Sequence, residues 1–453
     1  MATSIARHTD AVEMSTRPST YPADSGGRSS LASDAPEVPV NAQQLPPVDG
    51  GRQAWLFCFA SFVLEILVWG FGFSYGIFQA YYTSHPPFQN KSAIAIGSVG
   101  QTALAIEYTE GIFLSFVLGR YPELLRPMMW AGLILASGSL LLSSFVSQIE
   151  LLILLQGVCL GIGSGMLWWP GVLLIPDWFS RRRGLATGII FAGSGIGGFI
   201  LPLIVNALLD AVDFRWALRV WAAIMLVLGG LAILGVRRRT PAPRYRPGQQ
   251  RPRLVPRNIQ FFKGPLFWFW SLSTLLQAMA YFPVSLYISV FTTSIASPLS
   301  ATIVLSLFNS AGVVGQVLMG YLADRMPYTY IMAVSTFASA IAAFLLWGFA
   351  DTLGRVFAFA IVFGGLSGGF SSVNSAVSLD VVGPNPEQAS MALSAVSPAK
   401  GLAAIIGPIL SGVLLEAGKS SALGGKYGKF GFGPVELIAT KVKALKVLDA
   451  LNH

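Results

Sequence analysis

Apolar runs of about twenty residues, the length that crosses a bilayer as a helix, recur along the chain with short polar breaks between them. They predict spans near 54–82, 92–118, 127–148, 151–175, 184–208 and 215–236. Beyond a Pro- and Arg-rich stretch from Arg237 to Gly264 they resume near 265–293, 299–322, 328–350, 353–378 and 389–415. Six spans, a basic break and five more predict an all-α membrane protein whose two helical bundles are structural repeats, with the twelfth helix missing or replaced. The units are a tail at 1–50, a six-helix bundle at 51–236, a linker at 237–264, a five-helix bundle at 265–416 and a non-spanning basic tail at 417–453.

The flanks qualify this picture. Residues 1–50 are rich in Ser, Pro and acidic side chains and read as a disordered tail without a signal peptide. Within 435–452, Ile438, Val442, Leu445 and Leu448 share one helical face while Lys441, Lys443 and Lys446 lie elsewhere, as in an interfacial amphipathic helix; a truncated coding region is the alternative. Arg120, Arg126, Arg181–Arg183, the linker and Arg325 fall on one side of the spans, and Lys91, Arg215 and Arg355 on the other. The positive-inside rule makes the basic side and the amino terminus cytoplasmic, in a cell membrane and more readily the plasma than a vacuolar one.

Only 11% of the 453 residues are charged and 53% are hydrophobic, with a mean hydropathy of +0.62, too little polar surface for a soluble globule of this size. The net charge of +9 sits in short clusters beside the apolar runs, which points to membrane lipids and away from nucleic acid. Cys58 and Cys159 lie in apolar stretches, the three histidines (His8, His85, His453) lie in tails or a loop, and GSGIGG at 193–198 is inside a span with no strand before it. No enzyme, metal site or cofactor is predicted.

Candidate chemistry comes from polar groups inside the spans. Glu65, Glu107 and Lys400 all fall near mid-membrane, where an ionisable side chain is costly and therefore a functional candidate. One reading gives Lys400 an anionic substrate and Glu65 or Glu107 the coupling proton; the other makes Lys400 a structural ion pair or a snorkelling side chain. Glu110 is placed to pair with Arg120. Tyr75, Gln79, Trp168, Gln277, Tyr281, Asn309 and Asn374 are candidate substrate contacts and suggest a bulky, partly apolar organic ligand; the alternative for Trp168 and Trp169 is an aromatic belt. In the segment from Arg181 to Pro202, the arginines read as headgroup anchors. Gly184, Gly188 and Ala192 form one small-residue face, and Gly193, Gly197 and Gly198 a second.

Several of these stretches also carry a likeness: DGGRQAW at 49–55, GFSYGIFQAYY at 72–82, PDWFSRRRGLATGIIFAGSGIGGFILP at 176–202, FRWALRVWA at 214–222 and GYLADR at 320–325. Over roughly 49–415 the chain resembles the major facilitator superfamily, specifically its monocarboxylate-porter branch in filamentous fungi. The resemblance implies that superfamily's two-bundle fold with inverted repeats, a small-molecule substrate, a monomer and alternating access. It also implies a gate at Asp324 and Arg325, with Arg181, Arg182, Arg183, Gly184 and Gly188 in the moving interface. Animal members carry charges where this chain has Gln79, Asn309 and Val313, so a short monocarboxylate is not the implied cargo. Three functions stay open: a proton-coupled secondary transporter of an organic anion or small hydrophobic metabolite, an efflux carrier for a secondary metabolite, and a non-transporting sensor on the same scaffold.

Overall fold

The computed structural model describes residues 45–242, 250–256, 259–383, 385–420, 427–428 and 432–437. Ten helices among them are long and apolar enough to cross a membrane: α1 Gly51–Ser84, α2 Ile94–Arg120, α3 Pro122–Ser143, α4 Ile149–Trp178, α5 Arg183–Gly235, α6 Pro265–Thr293, α7 Leu299–Ala323, α8 Tyr328–Trp347, α9 Leu353–Val382 and α10 Glu387–Leu415. No strand occurs among the described residues.

One of the ten does double duty. A straight helix of 53 residues would be about 80 Å long, more than twice the hydrocarbon core, so α5 has to turn back. It does so at Asp213, whose φ of 78° and ψ of 158° are non-helical. The Asp213 carboxylate accepts from its neighbour's Phe214 N–H at 2.6 Å and from the Tyr81 hydroxyl at 2.8 Å, which holds a non-glycine residue in left-handed φ. Counting α5 twice, the ten helices give eleven crossing segments, matching the hydropathy pattern.

Large apolar side chains such as Leu142, Val227, Leu231, Val314 and Phe337 are exposed, as expected of helices solvated by lipid. The buried apolar residues form two clusters. The larger fills the first bundle and continues into the second through Val373, Val377, Met391, Leu393 and Val396, near the end that carries Arg120, Arg183 and Arg325. The smaller, with Ile288, Phe291, Val304, Phe308, Trp347 and Phe359, belongs to the opposite half of the second bundle alone. The bundles therefore share a core at the basic end and keep separate cores at the other, so the interface between them is shut at its basic end.

The predicted 1–50 tail is described only from Leu45, and most of the amphipathic stretch at 435–452, including Ile438 and Lys441, lies outside the described residues. Phe432 and Val435 are buried in the smaller core, with Phe432 edge-on to Phe291 at 5.2 Å. This part of the tail packs against α6 and α8 and contributes to the bundle.

Candidate functional site

Between the bundles lies one cavity lined by Glu65, Trp69 and Phe73 of α1, Tyr108 of α2, Trp168 of α4, Phe191 of α5, Gln277, Tyr281 and Phe282 of α6, Asn309 and Gln316 of α7, Ser371 of α9 and Lys400 of α10. Glu65, Trp69 and Phe73 recur every four residues, so one face of α1 presents them together. Glu65 is 4% exposed, and its Oε2 accepts a hydrogen bond from Trp168 Nε1. Trp168 is in turn held edge-on by Trp69 at 5.1 Å. Lys400 Nζ donates to the Ser371 hydroxyl at 2.9 Å and stands 5.4 Å from the centre of the Tyr108 ring. Gln277 Nε2 donates to the Ser367 carbonyl at 2.8 Å and Asn309 Nδ2 to that of Gly198 at 2.9 Å, so each amide keeps its oxygen for the cavity. The result is one ammonium and one carboxylate set among seven aromatic side chains, suited to an organic molecule with an apolar body and an ionisable group.

The cavity thus brings together Glu65, Lys400, Trp168, Gln277, Tyr281 and Asn309, and leaves out four of the predicted residues. Tyr75 is 7% exposed and turns into the first bundle, where its hydroxyl donates to the Ile96 carbonyl. Gln79 lies against Gly97 of α2. Asn374 accepts from Trp270 Nε1 at 3.0 Å beyond the cavity. Glu107 is buried between α2 and α4, in a separate small cavity beside Gln156. Three of the four were assigned by residue type and span, and neither reports which way a helix face points. Neither tryptophan forms a lipid belt: Trp168 walls the cavity, and Trp169, 1% exposed, donates to the Glu107 carbonyl at 2.8 Å. Arg120 does not meet Glu110; it donates to the Pro252 carbonyl at 3.0 Å.

At the basic end, the loop between α4 and α5 is held by two aspartates. Asp324, just past α7, accepts from the Gly184 and Leu185 N–H groups at 2.7 and 2.8 Å, capping α5 across the bundle interface. Burial raises the Asp324 carboxyl above its ordinary value, and the two N–H bonds offset only part of that. Asp49, at the end of the predicted tail, accepts from the Ser180, Arg181 and Arg182 N–H groups at 2.7, 3.0 and 2.9 Å. Burial pushes the Asp49 carboxyl up, but the three N–H donors outweigh it and hold it below its usual range. Its signal in the sequence was Asp-Gly-Gly ahead of the first apolar run, and both Asp49 (φ 60°) and Gly51 (φ 82°) are left-handed.

Of the expected gate pair, Asp324 makes the bonds across the interface, while the Arg325 guanidinium stacks on Tyr321 at 3.9 Å. Arg181 and Arg182 are exposed, but Arg183 is 6% exposed and buried in protein, with Nε donating to the Phe179 carbonyl at 3.3 Å, so it is no headgroup anchor. Gly184 and Gly188 do sit at the interface. A Cβ on Gly188 would lie 3.2 Å from Val317 Cα, and Gly184 faces Gly320 and Asp324. Gly195 and Gly198 continue this face toward α7, whereas Gly193 and Gly197 face α1.

Two bundles of membrane-spanning helices around a central cavity, closed at one end where Asp324 of one bundle caps α5 of the other, define a polytopic carrier. The family model for the Major Facilitator Superfamily matches residues 57–297 and 272–424, and the chain belongs to that superfamily. It is similar to the MFS transporter asaE of Aspergillus flavus, with 28% identity over 360 residues, 77% of each chain. It is also similar to the aspyridones efflux protein apdF of Emericella nidulans, with 25% identity covering 83% of this chain and 75% of that one. The agnestins efflux protein AgnL12 of Paecilomyces divaricatus is 26% identical over 82% of this chain and 83% of its own. The protein is a membrane transporter and not an enzyme; with relatives named for transport and efflux, the sensor alternative has no support.

Proposed function

We propose that this protein is an efflux carrier for a secondary metabolite, a bulky organic acid or similarly amphipathic molecule, driven by protons through alternating access. The observation that carries the reading is the cavity itself: Lys400 and Glu65 face one space whose walls are aromatic. Lys400 neutralises the anionic group of the cargo, Trp69, Tyr108, Tyr281 and Phe282 cover its apolar body, and Gln277 and Asn309 offer amide oxygens to its donors. Glu65, fixed by Trp168, is the acidic group on the cargo's path and meets its donors, while a buried carboxyl takes up the coupling proton. The relatives named as efflux proteins for aspyridones and agnestins favour export of such a compound over import. The charge rule supports a cytoplasmic basic end, so that the closed basic end makes this conformer outward-facing in the plasma membrane. RRRGLATG at 181–188 and FRWALRVWA at 214–222 support placing the chain near the monocarboxylate-porter branch, with a larger cargo than that branch's short acids.

The test is flux in proteoliposomes with and without an imposed pH gradient, using labelled 1-naphthoate and octanoate as probes, with Lys400→Ala and Glu65→Gln beside the wild type. Gradient-dependent flux of the aromatic acid that Lys400→Ala abolishes is the expected result. Equal flux in Lys400→Ala would remove the cavity from the mechanism.

A further inference from the structure

The first bundle buries a second set of polar groups that the substrate cavity does not use. Glu107 and Glu110 stand one turn apart on α2, on the face toward α4. Glu107 is 3% exposed; its carboxyl meets the Ser164 hydroxyl, and its Oε2 has no hydrogen-bond partner. Glu110 Oε1 is also buried without a partner, in space that Gly165 leaves open: a Cβ there would lie 2.9 Å from Glu110 Cγ and closer still to the carboxyl. Nearer the start of α4 than Ser164 and Gly165, the helix loosens into a π-helical stretch, Ile153–Cys159, which packs through Gly157 against Val99 and Thr102 of α2, an irregularity frequent at functional sites. It carries Gln156, which is 1% exposed. The Gln156 Oε1 accepts from the Tyr82 hydroxyl at 3.3 Å, while its Nε2 is unpartnered. Glu107 and Gln156 line one small cavity, together with Tyr75 and Gly100, with two deeply buried polar side chains turned into it.

We propose that Glu107, Glu110 and Gln156 form a proton-holding site inside the first bundle, off the substrate path, which takes up the coupling proton while Glu65 and Lys400 meet the cargo. The inference rests on the proton-coupled reading above and gives that proton a place off the substrate path. Two carboxyls one turn apart in an apolar interior cannot both be ionised without a cation between them; no Lys, Arg or His lines the cavity that holds Glu107, and Glu110 lies just beyond it against Gly165. The titratable groups on the packed elements are Glu65, Tyr75 and Tyr82 of α1, Tyr108 of α2 and Cys159 of α4; Lys400 of α10 stands beyond, over Tyr108. One proton bound between Glu107 and Glu110 converts a carboxylate to a carboxylic acid, which then donates to its neighbour or, through a bridging water, meets Gln156. Trp168 and Trp169 link the two sites, since one donates to the Glu65 carboxylate and the next to the Glu107 carbonyl. A change of charge on α2 thereby reaches the substrate cavity through adjacent residues of α4.

The test needs only protons as the probe. Infrared difference spectra of the full chain in phosphatidylcholine nanodiscs, recorded through a pH titration in light and heavy water, should show the carbonyl stretch of buried protonated carboxyls at neutral pH. Glu107→Gln and Glu110→Gln should each weaken that band and the double variant remove it, whereas Glu65→Gln should leave it. In parallel, spin labels at Leu124→Cys and Tyr330→Cys, exposed positions on α3 and α8 at the basic end, report closure by pulsed dipolar spectroscopy. Acidification should shift the wild-type distance distribution, and the double variant should lose at least about tenfold of that shift in population. A double variant that keeps the band, or whose distances follow pH as the wild type's do, overturns the inference. Naphthoate flux indifferent to a pH gradient, with the band present, would instead overturn the proton-coupled reading and with it the coupling role, leaving only a buried acid pair. Gln156→Leu, which keeps both carboxyls and cannot bridge, should retain the band and blunt the distance response.

Discussion

Gly188→Ala tests whether the basic end closes by direct contact of α5 with α7. The added Cβ would lie 3.1 Å from Gln316 C and 3.2 Å from Val317 Cα, and closer still to the Gln316 oxygen. All of these are backbone atoms, so no side chain can swing aside, and α5 must back away from α7. Overpacking of this kind costs about 1–3 kcal/mol. Here the strain exists only while the basic end is shut, because opening separates the two helices, so the cost becomes a shift of the closed-to-open ratio of about 5- to 150-fold. Gly315→Ala is the control. Its Cβ would meet Gly365 C at 2.7 Å and Cα at 3.0 Å, but α7 and α9 belong to the same bundle, and no open state relieves the clash. Spin labels at positions 124 and 330 should show Gly188→Ala moving from short to long distances with little loss in thermal unfolding temperature, and Gly315→Ala losing thermal stability with distances unchanged. Gly188→Ala protein that stays at the short distance and unfolds as early as Gly315→Ala would refute the reasoning, since the contact would then be a fixed part of the fold.

Asp324→Ala leaves the Gly184 and Leu185 N–H groups without their acceptor and should weaken basic-end closure by about 0.5–2 kcal/mol, the range of a lost helix cap; Asp324→Asn, whose amide oxygen still accepts, should cost less, both read from the same label pair. Because burial raises the Asp324 carboxyl, closure binds its proton more tightly than the open state does. That contribution is full below the ordinary value of 3.8 and fades as pH rises through the raised one, a dependence that Asp324→Asn should abolish. Asp49 has the opposite sign: with its carboxyl held below 3.8, its contribution is present above that value and lost as pH falls through the lowered one, so Asp49→Asn should flatten the acid limb of the thermal stability profile. Gly165→Ala should expel the Glu110 carboxyl from its place against α4 and lower thermal stability by about 1–3 kcal/mol, with Glu110→Ala in the same chain restoring most of the loss.

The spans were legible because lipid imposes a length and a composition on every crossing helix, and that requirement is written locally in the sequence. Even the reversal at Asp213 was visible as a polar break between runs, although the chain stays helical up to it on both sides. Glu65 and Lys400 were legible for a related reason: a charge at mid-membrane needs a partner or a cavity. Face was harder to read. Successive residues turn about 100° around a helix, so with Glu65, Trp69 and Phe73 fixed on the cavity, Tyr75, ten residues past Glu65, points about 120° away from the centre of that stripe into α2. Arg181, Arg182 and Arg183 are identical to a charge count, and only tertiary burial distinguishes the third. Asp49 acts through N–H groups 131–133 residues away, a pairing that no local pattern announces.

The division of labour between the two aspartates explains how the basic end can open at modest cost. Asp49 lies in the first bundle with the loop it binds, so its three bonds persist in both conformers and keep Ser180–Arg182 folded. Asp324 reaches across from the second bundle, and its two bonds to Gly184 and Leu185 are among those that opening must break. Arg183 is attracted by Asp49, Asp177 and Asp324 together, and after Asp324 departs the other two remain beside it, so opening does not strand a buried guanidinium. What opening loses is these two charge-assisted hydrogen bonds, the bond from the Ser390 hydroxyl to the Leu173 carbonyl, the glycine contact and the apolar contacts of the shared core. Closure of the opposite end offsets the apolar part, and a cargo or a proton that binds one conformer better than the other shifts the remainder.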